Sequence, residues 1–144
     1  MRRTLTIGLI CIGLGACTLP NPFQYKVPVL PDLPGNLTAD VRACGQQHPL
    51  QVGSYTAYAT CVNTAVDNDQ MPYAPYPELV RMQQQLRLKY ATLIDKGALS
   101  PAEGARQMAL ANEQVSAAIR DRNDGRTTVA ERRVAYLKLQ LELE

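Results

Sequence analysis

The chain has 144 residues, 15 Lys and Arg against 13 Asp and Glu, and is 46% hydrophobic. That length suits one small domain rather than several. Arg2 and Arg3 account for the whole formal excess of +2, so residues 17–144 are neutral. A neutral chain gives no general reason to expect nucleic-acid binding, which rests on phosphate neutralisation by a basic surface.

The first sixteen residues divide into a positive start at Arg2 and Arg3, an apolar run from Leu5 to Gly15, and small residues at Gly15 and Ala16. Charged, apolar, small is the layout of an export signal. The apolar run is shorter than the roughly 20 residues a membrane-spanning helix needs. Leu14-Gly15-Ala16-Cys17 behind that signal resembles the lipobox of bacterial lipoproteins. The resemblance implies cleavage after Ala16, lipid on the Cys17 thiol, and acylation of the new amine. Two or three acyl chains hold a protein stably on a membrane, whereas one holds it marginally. Thr18 follows Cys17, and the enterobacterial sorting rule then implies the periplasmic face of the outer membrane rather than the inner membrane. Cys11 follows bulky Ile10, which does not suit a cleavage site, and it leaves with the signal.

Of the 4 cysteines, Cys44 and Cys61 remain. An even pair in an exported chain reads as one disulfide, because the periplasm is oxidising. The alternative is two buried free thiols. His48 is the one histidine and precedes a proline, so a zinc set of four ligands is not expected. No Cys-x-x-Cys redox pair is present.

Residues 17–37, after the lipidated Cys, read as a disordered, proline-rich tether, with Pro20, Pro22, Pro28, Pro31 and Pro34. Proline fixes φ and removes a backbone donor, so neither helix nor central strand forms. Extended at about 3.1 Å per residue, the segment reaches on the order of 60 Å. It either clears the membrane or docks on a partner through Phe23, Tyr25, Val27, Val29 and Leu30.

Residues 38–144 read as an all-α domain. A short helix capped by Thr38 runs to Cys44 and breaks at Gly45 to Gly53. A second helix, capped by Ser54, runs to about Asp69 and carries Tyr55, Tyr58, Ala59, Val62, Ala65 and Val66 on one buried stripe. In an antiparallel pair Cys44 and Cys61 come to similar heights. Residues 38–70 are therefore expected to be a disulfide-clasped pair, joined through a rigid extended connection at Met71 to Pro77.

Residues 77–144 read as a longer αα-hairpin and a terminal helix. The first arm, Glu78 to Lys96, places Leu79, Met82, Leu86, Tyr90 and Leu93 on one face, and Gly97 is the expected left-handed stop. Ser100-Pro101-Ala102-Glu103 combines a cap, a first-turn proline and a capping-box glutamate. The second arm, to about Asn123, is alanine-rich, with Met108, Val115 and Ile119 on its apolar face. Small residues let helix axes approach closely. Thr128-Val129-Ala130-Glu131 forms a second capping box. The tail from Leu137 to Glu144 alternates with period two and fits either helix or edge strand. Leu93, Gly97, Leu99, Ser100 and Glu103 have a spacing similar to the SHOCT module, a bacterial helical hairpin. That family usually carries an aromatic where this chain has Gly104. The resemblance implies an oligomerisation or interaction hairpin.

No Gly-x-Ser-x-Gly elbow or glycine-rich phosphate loop is present. Asp67 with Asp69, and Asp121 with Asp124, sit near helix ends, where acids commonly lie in turns. Catalytic residues, cofactors other than the Cys17 lipid, metals, nucleic-acid partners and small-molecule substrates are not expected. Arg120, Arg122, Arg126, Arg132 and Arg133 form one basic cluster with acids interspersed. It reads as a salt-bridged turn or, alternatively, as a contact for anionic headgroups or an acidic partner. The expectation is a membrane-anchored, non-enzymatic lipoprotein of the cell envelope that binds an envelope protein or itself. The alternative is an inhibitor or accessory factor of a cell-wall enzyme, or an envelope enzyme with a site the sequence does not reveal.

Overall fold

The computed structural model describes residues 37–143. The expected signal, Cys17 and all of the expected tether except Leu37 lie outside that range. Among the described residues the regular structure is helical: α1 Leu37–Gln47, α2 Tyr55–Asp69, α3 Pro77–Asp95, α4 Pro101–Asn123 and α5 Thr127–Glu142. This is the expected all-α arrangement, a short helical pair followed by a longer hairpin and a terminal helix. Successive helices run antiparallel. α1 packs on α2, α2 on α3 and α3 on α4, while α5 packs on both α4 and α3.

Cys44 and Cys61 form a disulfide between α1 and α2, with their Cα atoms 5.7 Å apart. α1 does not break at Gly45. It continues to Gln47, and the turn begins where the His48 amide donates to the Cys44 carbonyl at 2.8 Å. Thr38 lies inside the first turn, because the helix starts at Leu37, not after Thr38.

Ser54 precedes α2 as expected, but its side chain does not cap the helix. Its hydroxyl donates back to the Pro49 and Gln51 carbonyls, stapling the turn. The cap comes from the far end of α3. The Asp95 carboxylate accepts from the amides of Gly53 at 2.7 Å, Tyr55 at 3.2 Å and Thr56 at 2.8 Å.

The expected stripe of α2 is buried throughout, against Leu79, Leu86, Tyr90 and Ile94 among others. A polar seam runs beside that apolar contact. Asn63 Nδ2 donates to the Gln84 carbonyl at 3.1 Å, and Gln84 Nε2 donates back to the Asn63 carbonyl at 3.2 Å and to Asp67 at 2.9 Å. Arg87, 1% exposed, donates to Asn63 Oδ1. Burial of such groups is tolerated because they are hydrogen-bonded.

The connection from α2 to α3 is not extended throughout. Met71–Tyr73 form a 3-10 turn, and extended backbone follows at Ala74. The turn from α3 to α4 closes as expected. Gly97, at φ 71°, ends α3, with the Ala98 amide on Leu93 and the Gly97 amide on Ile94, both at 2.9 Å. Ser100 accepts from the Glu103 amide at 3.2 Å. The other half of the box is not made, because the Glu103 carboxylate turns outward to Arg106 and Gln107.

The second expected capping box fails. α5 starts at Thr127 with no side-chain cap, and Glu131 pairs with Arg122 instead. The tail is helical to Glu142, which excludes the strand alternative for these residues. Ala130, Val134 and Leu137 are buried at spacings of four and three, with Leu141 packed against the core behind them. Leu139 and Leu143 fall outside that stripe and stay exposed.

Candidate interaction groove

The segment from Gln70 to Tyr76, together with α3 and α4, surrounds an open groove of about 350 Å³. Val80 and Val115, both buried, and half-buried Ile119 form its apolar floor, and the more exposed Ala74, Pro75 and Tyr76 one wall. Gln70, Gln83, Ser116 and Arg120 add polar atoms at the edges. Local sequence explains the opening. The prolines between α2 and α3 cannot extend either helix, so the chain crosses as a strap and leaves a gap beside Val80.

Several contacts hold the groove's walls. Gln83 Nε2 donates to Asn112 Oδ1 at 2.8 Å, tying α3 to α4. The Tyr76 hydroxyl donates to Asn123 Oδ1 at 3.0 Å, and the Arg122 guanidinium lies 5.1 Å from the Tyr76 ring centroid. Arg122 also pairs with Glu78 and, at 3.1 Å, with Glu131. One arginine thus links α3, α4 and α5 beside the groove. Burial pushes the Glu78 carboxyl up, but its bond to Arg122 and a backbone bond outweigh that and hold it below the ordinary value.

The five arginines do not present one basic face. Arg126 bonds Asp121 at 2.6 Å and Asp124 at 2.9 Å. Arg133 bonds Asp121 at 2.7 Å and Gln114 at 2.8 Å. Arg133 and Arg126 together hold the buried Asp121 carboxyl below the ordinary value. Arg120 and Arg132 are exposed and make no ion pair among the described residues. Arg120 borders the groove, whereas Arg132 lies beside Tyr136 and Gln114 on the α4–α5 side. Arg122, Arg126 and Arg133 therefore act within the fold, as a salt-bridged turn.

Neither carboxylate pair considered from sequence stands as a paired site. Asp67 takes the Gln84 side chain, and Asp121 is clasped as described. Asp69 meets Asp40 instead. Burial first, then that neighbour, raises its pKa. Half-buried His48 lies in the α1–α2 turn and is not among the residues that line the groove. Among the described residues no group of three or more His, Cys, Asp or Glu could hold a metal, and no helix is long and apolar enough to cross a membrane.

The groove went unread in the sequence. Val115 and Ile119 belong to the apolar face that spacing marks on their helix, Val80 falls outside the stripe marked on its own, and nothing in a helical period says which apolar positions a neighbouring segment fails to cover. The signal present was the density of prolines from Pro72 to Pro77, which forbids a close-packed helical crossing. Comparison with protein-family models, with curated proteins and with solved structures finds no match.

Proposed function

We propose that this chain is an exported lipoprotein, held through lipid on Cys17, whose helical domain is a non-enzymatic interaction component of the bacterial cell envelope. The observation that carries the reading is the Cys44–Cys61 disulfide. Such crosslinks persist in oxidising compartments beyond the cytosol, which is where Leu14-Gly15-Ala16-Cys17 behind its apolar run would send the chain. Thr18 favours the periplasmic face of the outer membrane. The groove supports an interaction role, since its lining is mainly apolar and contains no acid or histidine. Exposed Tyr136, Leu139 and Leu143 along α5 offer a second contact surface for a partner or another copy.

Two measurements test this. Wild-type protein should incorporate a fatty-acid probe, and Cys17→Ser should abolish labelling and leave the precursor uncleaved. Persistent labelling of the variant would refute the anchor. Crosslinking in intact membranes should capture an envelope partner, and Ser116→Phe, which fills the groove, should reduce its yield. Capture that ignores this substitution would remove the groove from the interaction.

Exposed Tyr73 favours a second reading. It projects from the 3-10 turn beside the groove at 55% exposure, as the contact residue of an enzyme inhibitor would. Tyr73→Ala should then relieve inhibition of a cell-wall enzyme without lowering the stability of the domain.

A further inference from the structure

The groove lies next to the point where the described fold begins. Leu37 is buried in the core at the start of α1. One turn later Asp40 lies beside Ala65 and Asn68 in the last turns of α2, which lead directly to Gln70 on the groove's edge. The described fold therefore begins near the Gln70 end of the groove.

Their chemistry matches the lining. Residues 27–33 read Val-Pro-Val-Leu-Pro-Asp-Leu, and Asp32 is the one acid between residues 17 and 36. Arg120, at the groove's edge, makes no ion pair among the described residues. A proline-rich segment docks at low entropic cost, because proline restricts the free chain, and Tyr76 is the one aromatic in this mainly apolar lining. The five steps from Leu37 back to Asp32 span at most ~17 Å, and Asp32 carries the charge opposite to that of Arg120.

We propose that Val27–Leu33 of the chain's own tether docks in this groove, with Leu30 on the floor of Val80, Val115 and Ile119 and Asp32 paired to Arg120. The proposal rests on the groove being a docking surface and names its resident occupant. Docking shortens the leash. Residues 18–26 alone reach roughly 28 Å at about 3.1 Å per residue, against about 60 Å for the whole tether. A partner that takes the groove would release the longer leash, so partner binding and distance from the membrane become coupled.

The chain contains no tryptophan, so Leu30→Trp introduces a single reporter. In residues 17–144 carrying Cys17→Ser, its emission should be blue-shifted. Acrylamide quenching should be several-fold weaker than for the same residue in an isolated peptide of residues 20–34. Ser116→Phe should restore peptide-like quenching while circular dichroism confirms the fold. A second readout leaves Leu30 intact. Tryptic cleavage after Lys26 should speed up about tenfold in Ser116→Phe, the factor expected for a ~0.1 mM contact at millimolar effective concentration. Arg120→Asp should do the same, and Asp32→Arg added to it should restore protection.

Peptide-like quenching together with unprotected cleavage in the otherwise unaltered chain overturns the proposal. So does shielding that Ser116→Phe leaves in place, or shielding that grows with protein concentration and thus comes from a second copy. Neither assay uses lipid or partner, so each can fail while fatty-acid labelling and partner capture succeed, and the reverse.

Discussion

Asp95 occupies a position that its own helix disfavours. It is the last residue of α3, where the helix dipole repels negative charge. Its carboxylate is stabilised elsewhere, by the amides that open α2. Burial pushes its pKa up, but the bonds from Thr56, Gly53 and Tyr55 outweigh that and hold it below the ordinary carboxylate value. Asp95→Ala should destabilise the domain by about 1 kcal/mol, up to ~2, the usual cost of a lost N-cap, measured by urea unfolding. Asp121 is depressed in the same direction by Arg133 and Arg126. A carboxyl whose folded pKa lies below its unfolded value contributes stability above that unfolded value, about 3.9 for Asp. That contribution is lost as pH falls through the folded value. Asp121→Asn should therefore lower Tm at pH 7, with the difference from wild type shrinking as pH drops below about 3.9. A pH-independent difference would mean that packing, not charge, is what the substitution removes.

Within the α3–α4 hairpin, closeness depends on one glycine. A Cβ built on Gly104 would lie 2.6 Å from Ile94 Cδ1 and 3.2 Å from Leu99 Cδ2. Gly104→Ala gains about 1 kcal/mol of helix propensity and loses about 1–3 kcal/mol to overpacking, so a net loss of about 1 kcal/mol is expected. Ile94→Val added to it should recover part of that loss, a coupling that a double-mutant cycle measures. Gly104→Phe, the aromatic of the resembled hairpin, should prevent α3 and α4 from closing in this register. α5 makes the complementary point. Its Leu137, Leu139, Leu141 and Leu143 alternate like a strand, yet the chain is helical because Ala130, Val134 and Leu137 have a surface to cover. Lys89 then closes the helix end by donating to the Gln140 carbonyl at 2.8 Å and the Leu141 carbonyl at 3.3 Å.

At the scale of the molecule, α1 is the least supported element. It packs on α2 and buries few side chains of its own. The disulfide closes a separation of 17 residues between these helices, and constraint of the unfolded chain by such a loop is worth about 3 kcal/mol. Replacing both Cys44 and Cys61 by Ser should lower stability by about that amount and open α1 first, as faster amide exchange at Val41 to Gln47 than in α3 or α4. The Asn63–Gln84–Arg87 seam supplies register between the pair and the hairpin. Asn63→Ala should cost about 2–3 kcal/mol, because it removes a bond from a charged, buried guanidinium.

Helix type and most boundaries were legible in the sequence because they follow from near neighbours. Ser100 and Pro101 open α4, Gly97 stops α3, and three-and-four spacing marks what α2 and α3 bury. The disulfide was legible from cysteine parity. The trans caps were not, since Asp95 lies some forty positions from the amides it serves and no local pattern joins them. Ser54 and Thr128 had good cap sequences and lost the role to local turn bonds and to the Arg122–Glu131 pair. Nor were the buried Gln84 and Arg87 legible, because a polar side chain enters a core only where a partner across the interface receives it. The groove belongs to the same class. Its residues come from a strap and two helices, and only their packing decides that Val80, Val115 and Ile119 are left with room beside them.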